Sequence, residues 1–321
     1  MTTMTHETSQ RLPHQSERLF LTDGGLETSL VFLEGEDLPL FAAFTLLQNN
    51  AGREKLKAYF RPYAELAVKS GSGFILESAT WRANPDWAEQ LGYSDVALEA
   101  ANRESIEMLR ELAEEYRMVD SPFLISGCIG PRGDGYVVDK QMTADEARHY
   151  HARQIQVFAE AGADMVTALT MTNVEEATGI ALAALDIDIP SVISFTVETD
   201  GRLPSGMPLG DAIQAVDAAT GNGPAYYMIN CAHPVHFAEV LEAGGNWVKR
   251  IGGLRANASQ LSHAELEASE ELDIGNPQDL AARYRTILDA MPWVRVVGGC
   301  CGTDHRHISA ISHTCCHGAA A

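Results

Sequence analysis

The sequence predicts a single (β/α)8 TIM barrel, and two features carry this prediction. Eight short apolar runs, each bounded by glycine, proline or polar residues, recur along the chain and have the length of buried parallel strands. Longer stretches with apolar residues at three- and four-residue steps separate these runs, as in amphipathic helices. Strands that alternate with helices in this way are typical of the barrel. A doubly wound sheet is the alternative, but no GxGxxG dinucleotide motif follows a predicted strand.

The predicted strands and helices succeed one another along the whole chain. In order, the strands lie in RLFLTDGG (18–25), GFILESAT (73–80), PFLISGCIGP (122–131), ADMVTALT (163–170), PSVISFTVET (190–199), AYYMINCAHP (225–234), NWVKRIGG (246–253) and VRVVGGCCG (294–302). Helical spacing, with helix-ending residues at its limits, is found at 51–71, 94–117, 143–163, 211–221 and 277–291.

One domain accounts for most of the chain. The chain has 321 residues, a length that suits a single barrel, and no linker or short-period repeat divides it. We expect a flexible N-terminal segment at 1–18, the barrel at 19–312 and a C-terminal tail at 313–321. The first eighteen residues are polar, and no run approaches the roughly 18 apolar residues of a membrane span. The sequence therefore predicts a cytoplasmic protein.

The balance of charges limits the partners of this protein. Lys and Arg number 23 against 44 Asp and Glu, which gives a net charge of −21. Nucleic acids and anionic membranes are bound through basic residues, so neither is an expected partner. We expect small-molecule substrates, and the sequence leaves a homo-oligomer open.

Three cysteines stand where predicted strands end. Cys231 follows the sixth strand, and Cys300 and Cys301 follow the eighth. The carboxyl ends of barrel strands form one face, so three thiols can meet there. Three thiolates suit Zn²⁺ and leave a fourth position open, as catalytic zinc requires. The glycines beside the pair are expected to let the backbone bend. The alternative is that these cysteines are buried small hydrophobic residues.

Three motifs carry a resemblance to a known family. GGCCGT near the end, INC about seventy residues earlier and LTDGGLET near the start resemble the homocysteine S-methyltransferase family over residues 19–312. The resemblance implies a zinc ion held by Cys231, Cys300 and Cys301, with the thiol of homocysteine or a similar acceptor in the fourth position. The methyl group would come from a sulfonium or quaternary ammonium donor, and no side-chain general base would be needed.

The same resemblance implies substrate-binding residues at the ends of the first two strands. Asp23 would bind the amino group of the acceptor, and the amides of Gly24 and Gly25 its carboxylate. An Asp-Gly turn is the alternative. Trp81 would face the cationic donor through a cation–π contact, unless it only covers the barrel rim. Glu77 would supply negative charge to the donor or would pair inside the barrel.

Further positions are assigned supporting roles. Asn230 is expected to orient the ligand or substrate, or to be a turn residue. Asn257 is expected to line the site from a loop. Glu27 is either a partner of the binding residues or an acid at a helix start. Cys128 is expected to pack rather than to bind metal.

Two departures from the family pattern concern the substrates. Leu169 stands where many relatives carry a glutamate that contacts the acceptor's amino group, and Phe41 stands where betaine-using relatives carry a tryptophan. Either the acceptor is a thiol other than homocysteine, or another acid, Glu77 or Glu198, replaces the missing carboxylate. The departure at Leu169 motivates an alternative function, a zinc barrel that binds thiol metabolites without turnover.

Other histidines and cysteines near the predicted site are not expected to bind the metal. His233, His236, His305 and His307 follow the cysteines closely but are expected at the rim or at helix starts, which disfavours a metal hydrolase. The second pair, Cys315 and Cys316, lacks a preceding strand and glycines. It is expected to form exposed thiols in the tail.

Overall fold

Eight parallel strands close into one barrel. The structure, a computed structural model, describes residues 12–316. Each strand pairs with the next in chain order, and the eighth pairs with the first. The predicted (β/α)8 barrel is thus confirmed. The strands are β1 (Phe20–Leu21), β2 (Gly73–Glu77), β3 (Phe123–Ile129), β4 (Met165–Met171), β5 (Ser191–Phe195), β6 (Tyr226–Asn230), β7 (Ile251–Ala256) and β8 (Val296–Gly299).

Helices connect the strands on the outside of the barrel. They are α1 (Leu26–Thr28), α2 (Asn50–Ser70), α3 (Pro85–Gln90), α4 (Asp95–Glu114), α5 (Ala144–Ala161), α6 (Val174–Asp186), α7 (Leu209–Thr220), α8 (Pro234–Ala243), α9 (His263–Glu267), α10 (Pro277–Ala290) and α11 (His305–Cys316). Local sequence sets their ends. The side chain of Thr143 caps α5 in a reciprocal box with Glu146, and Gly71 ends α2 at a φ of 68°.

Two apolar layers hold the barrel together. A large cluster fills the space between the strands and the helices. A smaller one fills the barrel interior and includes Phe20, Ile75, Cys128 and Leu169. Cys128 therefore packs inside the barrel, as predicted. Two polar side chains in the middle of the strands, Ser126 and Thr167, are buried there and hydrogen-bond to each other at 2.7 Å.

The seventh strand begins later than predicted. Residues Asn246–Arg250, which the sequence assigned to this strand, form a 3-10 helix, and β7 starts at Ile251. A Cβ on Gly210 or Gly245 would lie within 3 Å of the Trp247 ring, so the turn is packed by that side chain. Two apolar residues, Trp247 and Val248, followed by basic ones do not distinguish a short turn of this kind from the start of a strand.

The chain termini match the predicted boundaries only in part. The first eleven positions of the predicted segment 1–18 lie outside the described residues. Helix α11 continues to Cys316, so residues 313–316 of the predicted tail are helical, and 317–321 lie outside the described residues. Cys315 and Cys316 are partly buried against the core, not exposed as predicted. Within residues 12–316, no helix has the length and apolar character of a membrane span.

Candidate metal centre

Three cysteine side chains meet at the carboxyl end of the barrel. Cys231 directly follows β6, and Cys300 and Cys301 directly follow β8. The Cys231 Sγ lies 3.0 Å from the Cys300 Sγ and 3.5 Å from the Cys301 Sγ. All three sulfurs lie within 4.8 Å of one another, close enough to share one metal ion. The predicted convergence of these thiols is therefore present in the structure.

The backbone around Cys231 is held in an unusual conformation. Its φ is 57°, a left-handed value that costs a residue with a side chain on the order of 1 kcal/mol. Its carbonyl accepts hydrogen bonds from Asn257 Nδ2 at 3.0 Å and His263 Nε2 at 2.8 Å. Asn257, which the sequence places in the lining of the site, instead donates a hydrogen bond to the Cys231 backbone and does not line the cavity.

The glycines before the cysteine pair serve close packing, not bending. A Cβ on Gly298 would lie 1.8 Å from Thr22 Oγ1, and one on Gly299 would lie 2.0 Å from Thr303 Oγ1. Neither glycine has a positive φ, whereas Gly302 has a φ of 76°. The bend expected of the glycines that flank the pair therefore lies at Gly302, after the cysteines, whereas Gly298 and Gly299 are required by close packing.

Asn230 connects the centre to two neighbouring strands. Its Nδ2 donates to Thr170 Oγ1 at 2.8 Å and points towards the Cys300 Sγ at 3.8 Å. Its Oδ1 accepts from the Thr170 amide at 2.8 Å and from Ser194 Oγ at 2.6 Å. The side chain is fully buried. These contacts support the predicted orienting role, and they show Asn230 as the last residue of β6 rather than a turn residue.

Tyr136 is a contact of the cysteines that the sequence did not indicate. It lies between β3 and α5, and its Oη is 3.0 Å from the Cys231 Sγ and 3.6 Å from the Cys301 Sγ. Its ring stacks on His263 with centroids 4.1 Å apart. The only signal in the sequence was a tyrosine in the glycine-containing segment that follows the third strand.

The cluster favours an ionised thiol. The hydrogen bond between Cys300 and Cys231 is the largest cause that lowers the pKa of Cys300 well below its usual range, and the contact with Cys301 and the charge of Arg255 lower it further. A thiolate that two neighbouring thiols and a guanidinium stabilise is a good metal ligand. The donor set therefore fits a soft metal ion.

A buried ion pair lies beside the cysteines. Arg255 Nη2 is 2.7 Å from Asp23 Oδ1, and Tyr59 Oη donates to Asp23 Oδ2 at 3.1 Å. Burial raises the pKa of Asp23, and the charge of Arg255 opposes this effect. The sequence motifs do not include Arg255, although a charged residue at the end of an apolar strand is a usable signal.

A cavity of about 200 Å³ connects the cysteines with the predicted substrate residues. Asp23, Gly24, Gly25, Glu77, Trp81 and Asn230 all line it, together with Phe41 and Leu169. The structure thus brings together every predicted site residue except Asn257. Acidic side chains also line it, namely Glu27, Asp134 and Glu267.

Two of the lining groups already have partners in the protein. The Gly25 amide donates to the Thr303 carbonyl at 3.0 Å, so it is not free for a substrate carboxylate. The Arg82 guanidinium lies 4.5 Å from the centroid of the Trp81 ring, so the protein's own cation contacts that ring. Trp81 Nε1 also donates to the Leu169 carbonyl at 3.4 Å.

The acids proposed to replace the missing glutamate differ in position. Glu77 is buried in the cavity wall, and burial raises its pKa to about 7. Glu198 is absent from the wall and lies 3.2 Å from His263 Nδ1. Glu27 lines the cavity, and burial there also raises its pKa to about 7. Leu169 lines the cavity with an apolar side chain, so this position supplies no carboxyl group.

The histidines near the cysteines in sequence stay outside the centre. His233 caps the start of α8, and His305 begins α11. His236 contacts the Gln260 carbonyl, and His307 contacts Asp304. In residues 12–316, the group with metal-binding geometry contains cysteines alone. The predicted assignment of these histidines to rim and helix-start positions is confirmed.

Comparisons with known proteins agree with this site. The sequence model of the family described as homocysteine S-methyltransferase matches residues 20–315. The chain belongs to the homocysteine S-methyltransferase family. This confirms the resemblance that the three motifs indicated, and with it the enzyme class, an S-methyltransferase.

Individual relatives of this S-methyltransferase are distant but cover most of its length. Selenocysteine Se-methyltransferase from Brassica oleracea var. italica is 28% identical over 91% of this chain and 87% of its own. Homocysteine S-methyltransferase 2 from Arabidopsis thaliana is 27% identical over 90% of both chains. The metallated homocysteine methyltransferase MmuM from Escherichia coli has a similar fold, with a TM-score of 0.70, 21% identity and coverage of 93% and 96%.

Proposed function

We propose that this protein transfers a methyl group from a sulfonium or quaternary ammonium donor to the thiol of homocysteine or a related acceptor, in the presence of zinc. The convergence of Cys231, Cys300 and Cys301 on one cavity carries the proposal. Membership of the family favours a transferase over a barrel that binds thiols without turnover.

The three cysteines are the residues that would hold Zn²⁺. Their sulfurs suit zinc better than magnesium or calcium, which prefer oxygen ligands. When bound, zinc would lower the pKa of the acceptor thiol so that it reacts as the thiolate. Asn230 and Tyr136 contact the ligand sulfurs and would fix their positions.

The residues around the cavity favour a cationic donor. Glu27, Asp134 and Glu267 place carboxyl groups in its wall, and Trp81 adds an aromatic ring that already contacts a cation, the Arg82 guanidinium, at 4.5 Å. Negative charge and an aromatic face both attract a sulfonium or a trimethylammonium group. The protein's contribution to the reaction would be to bind the two substrates in line and to exclude water, so no proton transfer by a side chain is required.

Metal analysis combined with a substrate screen tests the proposal. The purified protein should contain about one zinc per chain, and Cys300→Ser should lose it. Cys315→Ser is the matched control, because Cys315 lies in α11 outside the cluster and should leave the zinc in place. Thiol acceptors crossed with sulfonium and betaine donors should give methylated product by mass spectrometry. A protein without zinc whose Cys300→Ser variant still transfers methyl groups would refute this function.

A further inference from the structure

One buried histidine at the carboxyl end of the barrel contacts three of the segments around the cysteines. His263 is the first residue of α9, and 5% of it is exposed. Its Nε2 lies 2.8 Å from the carbonyl oxygen of Cys231, which follows β6, and its Nδ1 lies 3.2 Å from the Oε1 of Glu198, which follows β5. Its ring stacks on Tyr136, which lies between β3 and α5. The residue does not line the substrate cavity.

The contact with Cys231 supports a strained backbone. Cys231 has a left-handed φ of 57°. Its amide donates to the Arg255 carbonyl at 3.1 Å, and its carbonyl accepts from His263 and from Asn257 Nδ2 at 3.0 Å. A carbonyl oxygen has two lone pairs, so it can accept both bonds. Because the backbone dihedrals fix the direction of the Cα–Cβ bond, these contacts determine where the Cys231 sulfur lies.

The His263 ring is held at both of its nitrogens. A carbonyl oxygen can only accept a hydrogen bond, so Nε2 carries the hydrogen in the contact with Cys231. Glu198 contacts Nδ1 on the opposite side of the ring. Thr196 Oγ1 lies 3.4 Å from Nε2 and adds a contact from the segment that follows β5. The ring therefore presents its donor to Cys231 in one orientation.

The stacked tyrosine connects His263 to the sulfur atoms as well. The centroids of the Tyr136 and His263 rings are 4.1 Å apart, and the ring planes differ by 21°. Tyr136 Oη lies 3.0 Å from the Cys231 Sγ and 3.6 Å from the Cys301 Sγ. His263 thus reaches Cys231 in two ways, through its backbone carbonyl and through the phenol that contacts its sulfur.

The segment that carries Tyr136 is attached to the rest of the protein at other points too. Arg132 and Lys140 both pair with Asp86, at 3.1 Å and 2.8 Å. These ion pairs are partly exposed, so each contributes little. They hold the ends of the segment, whereas the stack on His263 holds the Tyr136 ring itself.

The start of α9 does not require a histidine. Ser262 caps this helix, since its Oγ accepts from the Glu265 amide at 3.3 Å. The Glu265 carboxylate accepts from the Ser262 amide at 2.9 Å in return. The printed contacts of His263 are thus made with other segments and not with its own helix.

We propose that His263 is a positioning residue of the metal centre. Its hydrogen bond to the Cys231 carbonyl directs the sulfur of that residue towards Cys300 and Cys301. Its stack on Tyr136 places the phenol against the sulfurs. The inference rests on the proposed function in one respect, that Zn²⁺ is the ion these cysteines hold. It adds to that function a residue outside both the cysteine cluster and the cavity wall.

Two variants separate the hydrogen bond from the stack. His263→Phe keeps a ring for Tyr136 but has no donor for the Cys231 carbonyl, so its zinc affinity in competition with a chelator should fall about 10- to 100-fold. His263→Gln keeps a donor but no ring, so its zinc affinity should stay within about 3-fold of the wild type. The Kd of zinc-loaded His263→Gln for homocysteine, measured by calorimetry, should instead rise about 3- to 10-fold, because Tyr136 is no longer held beside the sulfurs.

A second histidine provides the matched control. His236 also contacts a carbonyl, that of Gln260, but lies outside the cysteine cluster, so His236→Phe should keep wild-type zinc affinity. Urea denaturation of the zinc-free proteins shows whether a variant has lost stability alone. If His263→Phe does not fold, His263→Ala replaces it and should show both the loss of zinc affinity and the higher Kd.

The outcomes distinguish this inference from the proposed function. Wild-type zinc affinity in His263→Phe or His263→Ala, or equal losses of zinc affinity in His263→Phe and His263→Gln, would overturn the positioning role alone. Zinc binding that depends on His263 as expected, in a protein that transfers no methyl group, would overturn the proposed function alone.

Discussion

One buried amide joins the metal centre to the strands around it. Asn230 makes hydrogen bonds with Thr170 and Ser194, and its Nδ2 points to the Cys300 Sγ. Thr170 has a left-handed φ of 63°, which its two bonds with Asn230 help to hold. The residue that orients a ligand thus also stabilises a strained position on a neighbouring strand.

Replacement of Asn230 should therefore affect both stability and metal binding. In Asn230→Ala, the Thr170 amide and the Ser194 hydroxyl lose a buried partner, which should lower the free energy of unfolding by about 3 kcal/mol. Loss of the contact with Cys300 should weaken zinc binding about 10- to 100-fold. Urea denaturation and competition with a chelator measure the two effects. Ser194→Ala, which leaves the Cys300 contact intact, is the control, and wild-type zinc affinity in Asn230→Ala would contradict the orienting role.

The contact of β8 with β1 positions the cysteine pair. Gly298 faces Thr22 so closely that no side chain fits between the strands. The Gly299 amide donates to the Asp23 carbonyl at 2.9 Å, which ties the end of β8 to the acidic side of the cavity. The spacing of these two strands therefore sets the distance between the cysteines and the substrate residues.

This packing predicts different effects for two glycine substitutions. Gly298→Ala should lower the free energy of unfolding by about 2–3 kcal/mol and weaken zinc binding, because β8 must move away from β1. Gly71→Ala, at the end of α2, has open space around its Cβ and a φ of 68°, so it should cost about 1 kcal/mol of strain only. Urea denaturation and zinc titration compare the variants. Equal losses in the free energy of unfolding, or wild-type zinc affinity in Gly298→Ala, would show that the close contact between β8 and β1 does not position the cysteines.

The sequence predicts those parts of the site whose positions depend only on the order of the strands in the barrel. Cys231, Cys300 and Cys301 could be placed together because barrel topology brings all strand ends to one face. The contacts of Arg255 and Tyr136 could not be predicted. Arg255 and Asp23 are 232 positions apart, and only the register of the closed barrel makes them neighbours. Tyr136 depends on the conformation of a loop, for which the sequence holds no periodic signal.

Buried and exposed acidic residues change folding stability with pH in opposite directions. Exposed carboxyl groups such as Glu99 and Asp186 pair with arginines that lower their pKa. They stabilise the fold above their unfolded pKa, and this contribution is lost only in acid. Burial raises the pKa of Glu27 and Glu77 to about 7, from a usual value of 4.5. Their protonated forms stabilise the fold at low pH, and this contribution is lost as the pH rises through 7.

Glu77→Gln should therefore change how folding stability depends on pH. The variant keeps a neutral side chain at every pH, whereas Glu77 becomes a buried charge as the pH rises. The free energy of unfolding of Glu77→Gln relative to the wild type should increase between about pH 5 and pH 7, by on the order of 3 kcal/mol. Urea denaturation at several pH values, with equal zinc, measures the difference. Glu99→Gln should show no such increase, because Glu99 is exposed and ionised in both states over this range. A difference between Glu77→Gln and the wild type that stays constant with pH would mean that the Arg255 charge keeps Glu77 ionised throughout.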